Sequence, residues 1–273
     1  RDIYYKDVKL FRKQSVVDTI IDDIAYTFGV ERGKLNVVAA AKGLVCGHMK
    51  IWYMSGDMVE CWNNREGILI PSTKSINRID VLDAQWVLVI EKEATFRALS
   101  TNKFWDTCTA GNGILITGKG YPDISTREFL RLLSDAIQPS ASSTCSHESQ
   151  SRSPRIYAVV DHDPHGLNIL SVYKFGSVAL AHENHRLVVS NVELLGIKNE
   201  DLECIQNNEH RILSLTSSDR RKAVQLLEKS YIWSQEEWRS ELQRMLFMNV
   251  KAEIQAMDLE SYLNRKLEDG RSG

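Results

Sequence analysis

The chain is poor in cysteine, with five in 273 residues, and none of them form a C-x-x-C pair. An odd count without that pair fits a reducing intracellular compartment. Net charge is nearly absent as well, −2 from 34 basic and 36 acidic residues. Nucleic-acid binding therefore has to rest on local patches, not on overall attraction. No apolar run reaches membrane-spanning length and no signal-peptide pattern opens the chain, so no membrane is expected as a partner. There is no initiator Met, as expected of a fragment. What remains is globular in composition, 43% hydrophobic and 26% charged, and long enough for one large or two ordinary domains.

The most informative stretch is Ile156 to Gly166, Ile-Tyr-Ala-Val-Val-Asp-His-Asp-Pro-His-Gly. Its uncharged, β-branched start suits a strand buried on both faces of a parallel sheet. Ligand sites in such sheets lie at the carboxyl ends of the strands. If the chain stays extended through Asp161, His162 and Asp163, both Asp side chains turn to one side. Two carboxylates so close repel unless a cation lies between them, and hard oxygen donors favour Mg²⁺. Capping of the next helix, with Pro164 at its first position, accounts for Asp163 but not for the pair.

A local basic patch opens the chain, where Arg1, Lys6, Lys9, Arg12 and Lys13 outnumber Asp2 and Asp7. Residues 14–28 carry apolar side chains at helical spacing with Asp18, Asp22 and Asp23 opposite, which predicts an amphipathic helix. A short helical stretch is expected near Glu31 to Leu35. The alternation from His48 to Trp62 around Ser55-Gly56-Asp57 reads as a hairpin. Helices followed by a hairpin suggest a winged-helix-like unit over residues 1–75, although on pattern alone any small α+β unit fits as well. From Arg78 onward strands alternate with helices. Trp86 to Ile90 is a second buried strand, and it ends in Glu91. Ala94 to Leu99 reads as a helix, Ile114 to Thr117 as a strand, and Ser125 to Glu128 as a capping box opening a helix through Leu133. Gly113 to Lys119 imitates the start of a P-loop. That reading fails because the intervening residues read as a strand and Gly120 stands where a hydroxyl would bind Mg²⁺.

Pro139 to Pro154 is Ser-rich and reads as a mobile surface insertion. Ser177 to Ala181 is expected to be a strand, and His182 with His185 lies in polar context that argues against a metal pair. Two further helices are expected, Asp219 to Lys229 and Gln235 to Leu263, the second burying Trp238, Leu242, Met245 and Leu246 as core.

With Glu91 after one strand and Asp161-His162-Asp163 after another, residues 76–273 resemble a Toprim domain, the metal-binding fold shared by topoisomerases and primases. Arg1 to Tyr5, Ser15 to Asp18, Ala41 to Leu44, Val89 to Phe96, Gly118 to Asp123, Asp161 to Gly166 and Lys251 to Ala256 follow in family order. Together they resemble the meiotic DNA double-strand-break proteins related to the A subunit of topoisomerase VI. The fold this implies is α/β, a winged-helix-like (CAP-type) N-terminal domain at 1–75 followed by a Toprim domain with C-terminal helices at 76–273.

The resemblance implies that Tyr5, the second of the paired tyrosines, is the nucleophile; side-chain chemistry alone does not choose between Tyr4 and Tyr5. A phenol with a pKa near ~10 needs a base or a neighbouring cation to attack at neutral pH. Arg1 matches the family arginine four residues earlier, where its fork could hold the phosphate. Glu91, Asp161 and Asp163 would hold Mg²⁺, and Lys42, Lys119 and Tyr121 match family positions near DNA. The partners implied are double-stranded DNA, a second copy of the chain for cleavage, meiotic accessory proteins and a topoisomerase VI B-like subunit, in the nucleus on chromosomes. Competing readings are a true topoisomerase VI A subunit that reseals what it cuts, a Toprim nuclease using water, and a DNA-binding scaffold with a dead site.

Overall fold

The computed structural model describes residues 2–30, 32–37, 41–137, 153–202 and 212–272. Its centre is a six-stranded sheet formed by β1 (Leu44–Gly47), β4 (Ile68–Leu69), β6 (Trp86–Ile90), β7 (Gly113–Thr117), β8 (Arg155–Val159) and β9 (Val192–Gly196), in the order β4-β1-β7-β6-β8-β9. β6, β7, β8 and β9 are parallel, and β1 runs antiparallel to β7.

All of Trp86 to Ile90 is buried, which is why that run lacks polar alternation. Val87 and Val89 face one core with Phe129, Leu130, Leu133, Leu167, Leu170, Trp238 and Leu242. Trp86, Leu88 and Ile90 face the other with Phe96, Leu99, Phe104, Leu263 and Leu267. The helices that supply these side chains are α4 (Glu93–Thr101), α5 (Phe104–Thr107), α6 (Ile124–Ile137), α7 (Pro164–Phe175), and two near the end of the chain at Glu236–Met248 and Leu259–Ser272. β7 lies on one side of β6 and β8 on the other. The chain leaving β6 therefore turns one way and the chain leaving β8 the other, which opens a crevice at their carboxyl ends.

The start of the chain folds into α1 (Asp2–Lys6), α2 (Val8–Phe11) and α3 (Gln14–Phe28), followed by a 3₁₀ turn at Arg32–Leu35. α3 matches the expected amphipathic helix and buries Val17, Ile21 and Ala25. The expected hairpin forms from β2 (Lys50–Tyr53) and β3 (Met58–Glu60), and β5 (Ile76–Asp80) pairs with β2 to complete a three-stranded antiparallel sheet. A division at residue 75 does not separate the sheets: β5 lies beyond it, while β1 and β4, before it, belong to the large sheet because Leu44 to Gly47 is wholly buried against β7.

Three other expectations need correction. Ser177 to Ala181 is not a strand: Val178–Glu183 is 3₁₀, and the place beside β8 goes to Val192–Gly196. A run so short cannot distinguish a strand from a helical turn by periodicity. α6 is capped by Asp123, whose carboxylate accepts the Thr126 N–H at 2.7 Å, and the box expected at Ser125 lies inside the helix. The helix expected from Gln235 to Leu263 stops at Met248, because Asn249 adopts a left-handed conformation with φ 58°. Val250–Ala252 then forms a strand against Ile212–Ser214. The Ser-rich segment falls almost entirely outside the described residues. Among the described residues, no helix is long and apolar enough to cross a membrane.

Candidate functional site

The crevice between β6 and β8 gathers most of the residues singled out in the sequence. Glu91 directly follows β6, and its Oε2 accepts the Asp161 N–H at 2.9 Å, which ties the ends of the two strands together. The Asp161 side chain is nearly buried, with Oδ1 accepting the Ile254 N–H at 2.8 Å and Oδ2 paired with Lys92 Nζ at 2.9 Å. The chain is not simply extended after Asp161: the Asp163 N–H donates to the Asp161 carbonyl at 2.9 Å, a three-residue turn centred on His162. His162 also exchanges backbone hydrogen bonds with Ala252. Its ring points inward, with Nδ1 3.2 Å from the Ile197 carbonyl oxygen, and burial lowers its pKa.

Asp163 is the N-cap of α7: its Oδ1 accepts the Gly166 N–H at 2.7 Å, with Pro164 in the first turn. A Cβ on Gly166 would come within 2.3 Å of the Asp161 carbonyl oxygen, so only glycine lets α7 start this close to the strand end. Capping and site membership coexist, since Asp163 is close enough to Glu91 to act on it electrostatically. Burial, then the Asp161 charge, with Asp163 adding to both, pushes the Glu91 carboxyl up to about 7. Burial also raises Asp163. Burial works against the Lys92 ammonium, but its bonds to Asp161 and Glu253 outweigh that and hold its pKa above the usual value.

Among the described residues no three His, Cys, Asp or Glu side chains form a ready-made metal cluster. Both Asp161 oxygens are engaged, one by Lys92 and the other by the Ile254 N–H. The donor set nevertheless fits a hard divalent cation. It is all oxygen, and the Asp161 charge raises the pKa of both Glu91 and Asp163, a repulsion that a cation would relieve. Among the described residues Glu91 Oε1 and Asp163 Oδ2 accept no hydrogen bond, so each has an oxygen to offer.

Lys119 and Tyr121 lie on the turn after β7 that borders this crevice. The Gly120 N–H donates to the Glu91 carbonyl at 2.8 Å, and Gly120 holds φ 85°, a conformation suited to glycine. Lys119 Nζ pairs with Glu93 Oε1 at 3.0 Å. The Tyr121 hydroxyl accepts from Asn168 Nδ2 at 2.7 Å, and burial raises its pKa, with Asp163 and Glu91 adding to the shift. Lys42 joins from the far end of the sequence. Its N–H donates to Asp123 Oδ2 at 2.9 Å and its Nζ to the Lys119 carbonyl at 3.2 Å. Five of the singled-out residues thus converge with Lys42 on one end of the sheet.

Tyr5 does not join them. It is 67% exposed on α1, its ring 5.2 Å from that of Tyr4, and among the described residues no hydrogen bond or ion pair links it to Glu91, Asp161 or Asp163. Arg1 lies outside the described residues. Sequence reasoning assigned no role to Lys92, Glu253 or Gln255. Their signal was present, because they fall within the family-like stretches Val89 to Phe96 and Lys251 to Ala256, but nothing local showed that residues more than 160 positions apart meet at Lys92 Nζ.

A parallel α/β sheet that delivers acidic residues from adjacent strand ends into such a crevice defines a Toprim-type domain. The family model for the Toprim domain of Spo11 and the topoisomerase 6 A subunit matches residues 86–142 and 147–267, and that for type IIB DNA topoisomerases matches residues 1–37. The meiotic recombination protein SPO11 of Homo sapiens is 35% identical over 267 residues, 97% of this chain and 63% of that protein. Meiotic recombination protein rec12 of Schizosaccharomyces pombe is 39% identical over 272 residues, 98% of this chain and 70% of that protein. The A subunit of DNA topoisomerase 6 from Arabidopsis thaliana is 34% identical over 260 residues, 94% of this chain and 56% of that protein. The chain belongs to the family formed by Spo11 and the topoisomerase 6 A subunit, and it spans 63% of the length of its human relative.

Proposed function

We propose that this chain is the catalytic part of a meiotic recombination protein that makes DNA double-strand breaks by tyrosine transesterification. The observation that carries the reading is the convergence of Glu91, Asp161 and Asp163 with Lys42, Lys119 and Tyr121 at one crevice, in a chain similar to named meiotic recombination proteins over nearly its whole length.

The Tyr5 oxygen attacks a backbone phosphorus, a Tyr–O–P bond forms and the bond to the 3′ oxygen breaks. The phenol proton passes to a base and the departing 3′ oxygen ends as a hydroxyl, leaving a 5′-phosphotyrosyl link. Arg1 holds the phosphate through its guanidinium fork. Glu91, Asp161 and Asp163 would hold Mg²⁺, which when bound would supply a Lewis acid to offset charge developing at the scissile region. Lys42 and Lys119 neutralise backbone phosphates and Tyr121 flanks them. The helices and hairpin at the start of the chain act as a winged-helix-like unit that offers Tyr5 to the DNA.

Exposure of Tyr5 and, among the described residues, the absence of a hydrogen bond or ion pair from it to the acidic cluster favour a site shared by two copies, the tyrosine of one meeting the metal ligands of the other. Double-stranded DNA, a second copy and a topoisomerase VI B-like subunit with meiotic accessory proteins are then the partners, on chromosomes in the nucleus. A denaturation-resistant protein–DNA adduct that disappears in Tyr5→Phe is the expected result, and an adduct that survives Tyr5→Phe would overturn the assignment. The similarity to a topoisomerase 6 A subunit supports a second reading, cleavage with resealing. ATP-dependent strand passage with a B-type subunit would favour that reading.

A further inference from the structure

Lys92 Nζ is held by three oxygens at once, Asp161 Oδ2 at 2.9 Å, Glu253 Oε2 at 3.0 Å and Gln255 Oε1 at 2.8 Å. An ammonium has three N–H donors, so this set uses all of them. Glu253 and Gln255 flank Ile254, whose N–H occupies the other Asp161 oxygen, so one short segment holds both Asp161 and the lysine next to it. That segment is anchored by the Ala252–His162 backbone pair and by Lys251 Nζ on Asp219 at 2.8 Å.

We propose that Lys92 is a tethered cation that competes for Asp161 and thereby sets how tightly the acidic site holds a divalent ion. This rests on reading Glu91, Asp161 and Asp163 as the metal-binding oxygens. A metal on Asp161 Oδ2 would be brought close to the ammonium, and two cations on one carboxylate repel at short range, so the metal and Lys92 compete for it. Glu253 and Gln255 are the second seat. They already hold the ammonium, so it can give up Asp161 without being left unpaired, and its stem stays fixed by its position after Glu91. The arrangement keeps Asp161 compensated, as a nearly buried carboxylate requires, while making the metal exchangeable instead of permanently bound. A lysine that merely oriented Asp161 for the metal would act in the opposite direction, since its removal would weaken binding.

Mn²⁺, which takes the same oxygen ligands and is followed by its electron-spin signal, is titrated into the full chain without DNA. Lys92→Met is expected to bind Mn²⁺ about tenfold more tightly, the scale of one lost charge-assisted competitor. Its melting temperature without metal is expected to fall, and the rise on adding Mn²⁺ to exceed that of the parent chain. Lys92→Gln, which keeps a neutral hydrogen-bonding group and guards against a folding defect, should tighten binding as well. Glu253→Gln removes part of the second seat and should weaken binding in the parent, an effect largely lost when it is combined with Lys92→Met. Unchanged or weaker Mn²⁺ binding in folded Lys92→Met and Lys92→Gln overturns the competition while leaving the metal site in place. If the parent binds no Mn²⁺, or Asp161→Asn binds it equally well, the reading of the acidic site falls and this inference falls with it.

Discussion

Glu91 ends a strand in which every residue is buried, whereas Tyr5 sits on a helix with no buried residue. The contrast extends to their surroundings. The acidic crevice is cross-braced by Glu91 to Asp161, Lys92 to Asp161 and Glu253, and Lys42 to Asp123 and Lys119, contacts that link five distant parts of the sequence. The tyrosine end rests on α1 and α2 packed against α3, where Val16, Ile20 and Ile24 remain about two-fifths exposed while Val17, Ile21 and Ala25 are buried. A preorganised half holds charge in fixed places, which is what electrostatic stabilisation of a transition state needs. A loosely packed half suits a nucleophile that acts on something outside its own chain.

The largest effect expected from this difference is on chemistry. Tyr5→Phe should remove covalent DNA attachment while leaving the melting temperature within error of the parent, because the exposed hydroxyl supports no packing; a large loss of stability would tie Tyr5 to the fold. Truncation should separate the two regions next. Leu88→Ala, on a wholly buried strand, is expected to cost roughly 2–5 kcal/mol. Ile20→Ala on the exposed side of α3 should cost about 1 kcal/mol or less, and equal costs in urea unfolding would erase the contrast.

The pH dependence of stability sharpens the comparison further. The Glu91 carboxyl is raised to about 7 from an unfolded value near ~4.3. The folded state therefore favours its protonated form, and the metal-free chain should lose stability as pH rises from about 4.3 to 7. Glu91→Gln should flatten that decline, and a profile unaffected by the substitution would show that the group is not buried as described. The smallest effect concerns DNA. Lys42→Ala or Lys119→Ala should each reduce the salt-dependence slope of DNA binding by about 1, one phosphate contact apiece, and an unchanged slope would remove that lysine from the DNA surface.

The same contrast governs what the sequence made legible. Trp86 to Ile90 and Ile156 to Val160 could be read as buried strands, and Glu91, Asp161 and Asp163 as their acidic ends, because a parallel strand needs apolar residues on both faces. The helix at 14–28 and the hairpin at Ser55-Gly56-Asp57 were equally plain from their periods. Long-range pairing was not. Nothing in Leu44 to Gly47 indicated that it would leave the hairpin unit to pair with β7, and nothing before Asn249 indicated that its left-handed backbone would end a helix and free Val250 to Ala252 to meet His162. The Lys92–Glu253 contact was hidden for the same reason, since spacing along the chain says little about which termini of elements meet.

The central claim, that the well-braced and loosely braced halves of the site come from different copies of the chain, is tested most directly by mixing. Tyr5→Phe chains and Glu91→Gln chains, each inactive alone, are combined and assayed for strand cleavage. Random association of equal amounts should make about half the dimers mixed, each with one intact and one doubly defective site. Recovery of single-strand nicks without double-strand breaks is the predicted result. A mixture that stays inactive while mixed dimers demonstrably form would contradict it, and would require Tyr5 and Glu91 to act within one chain.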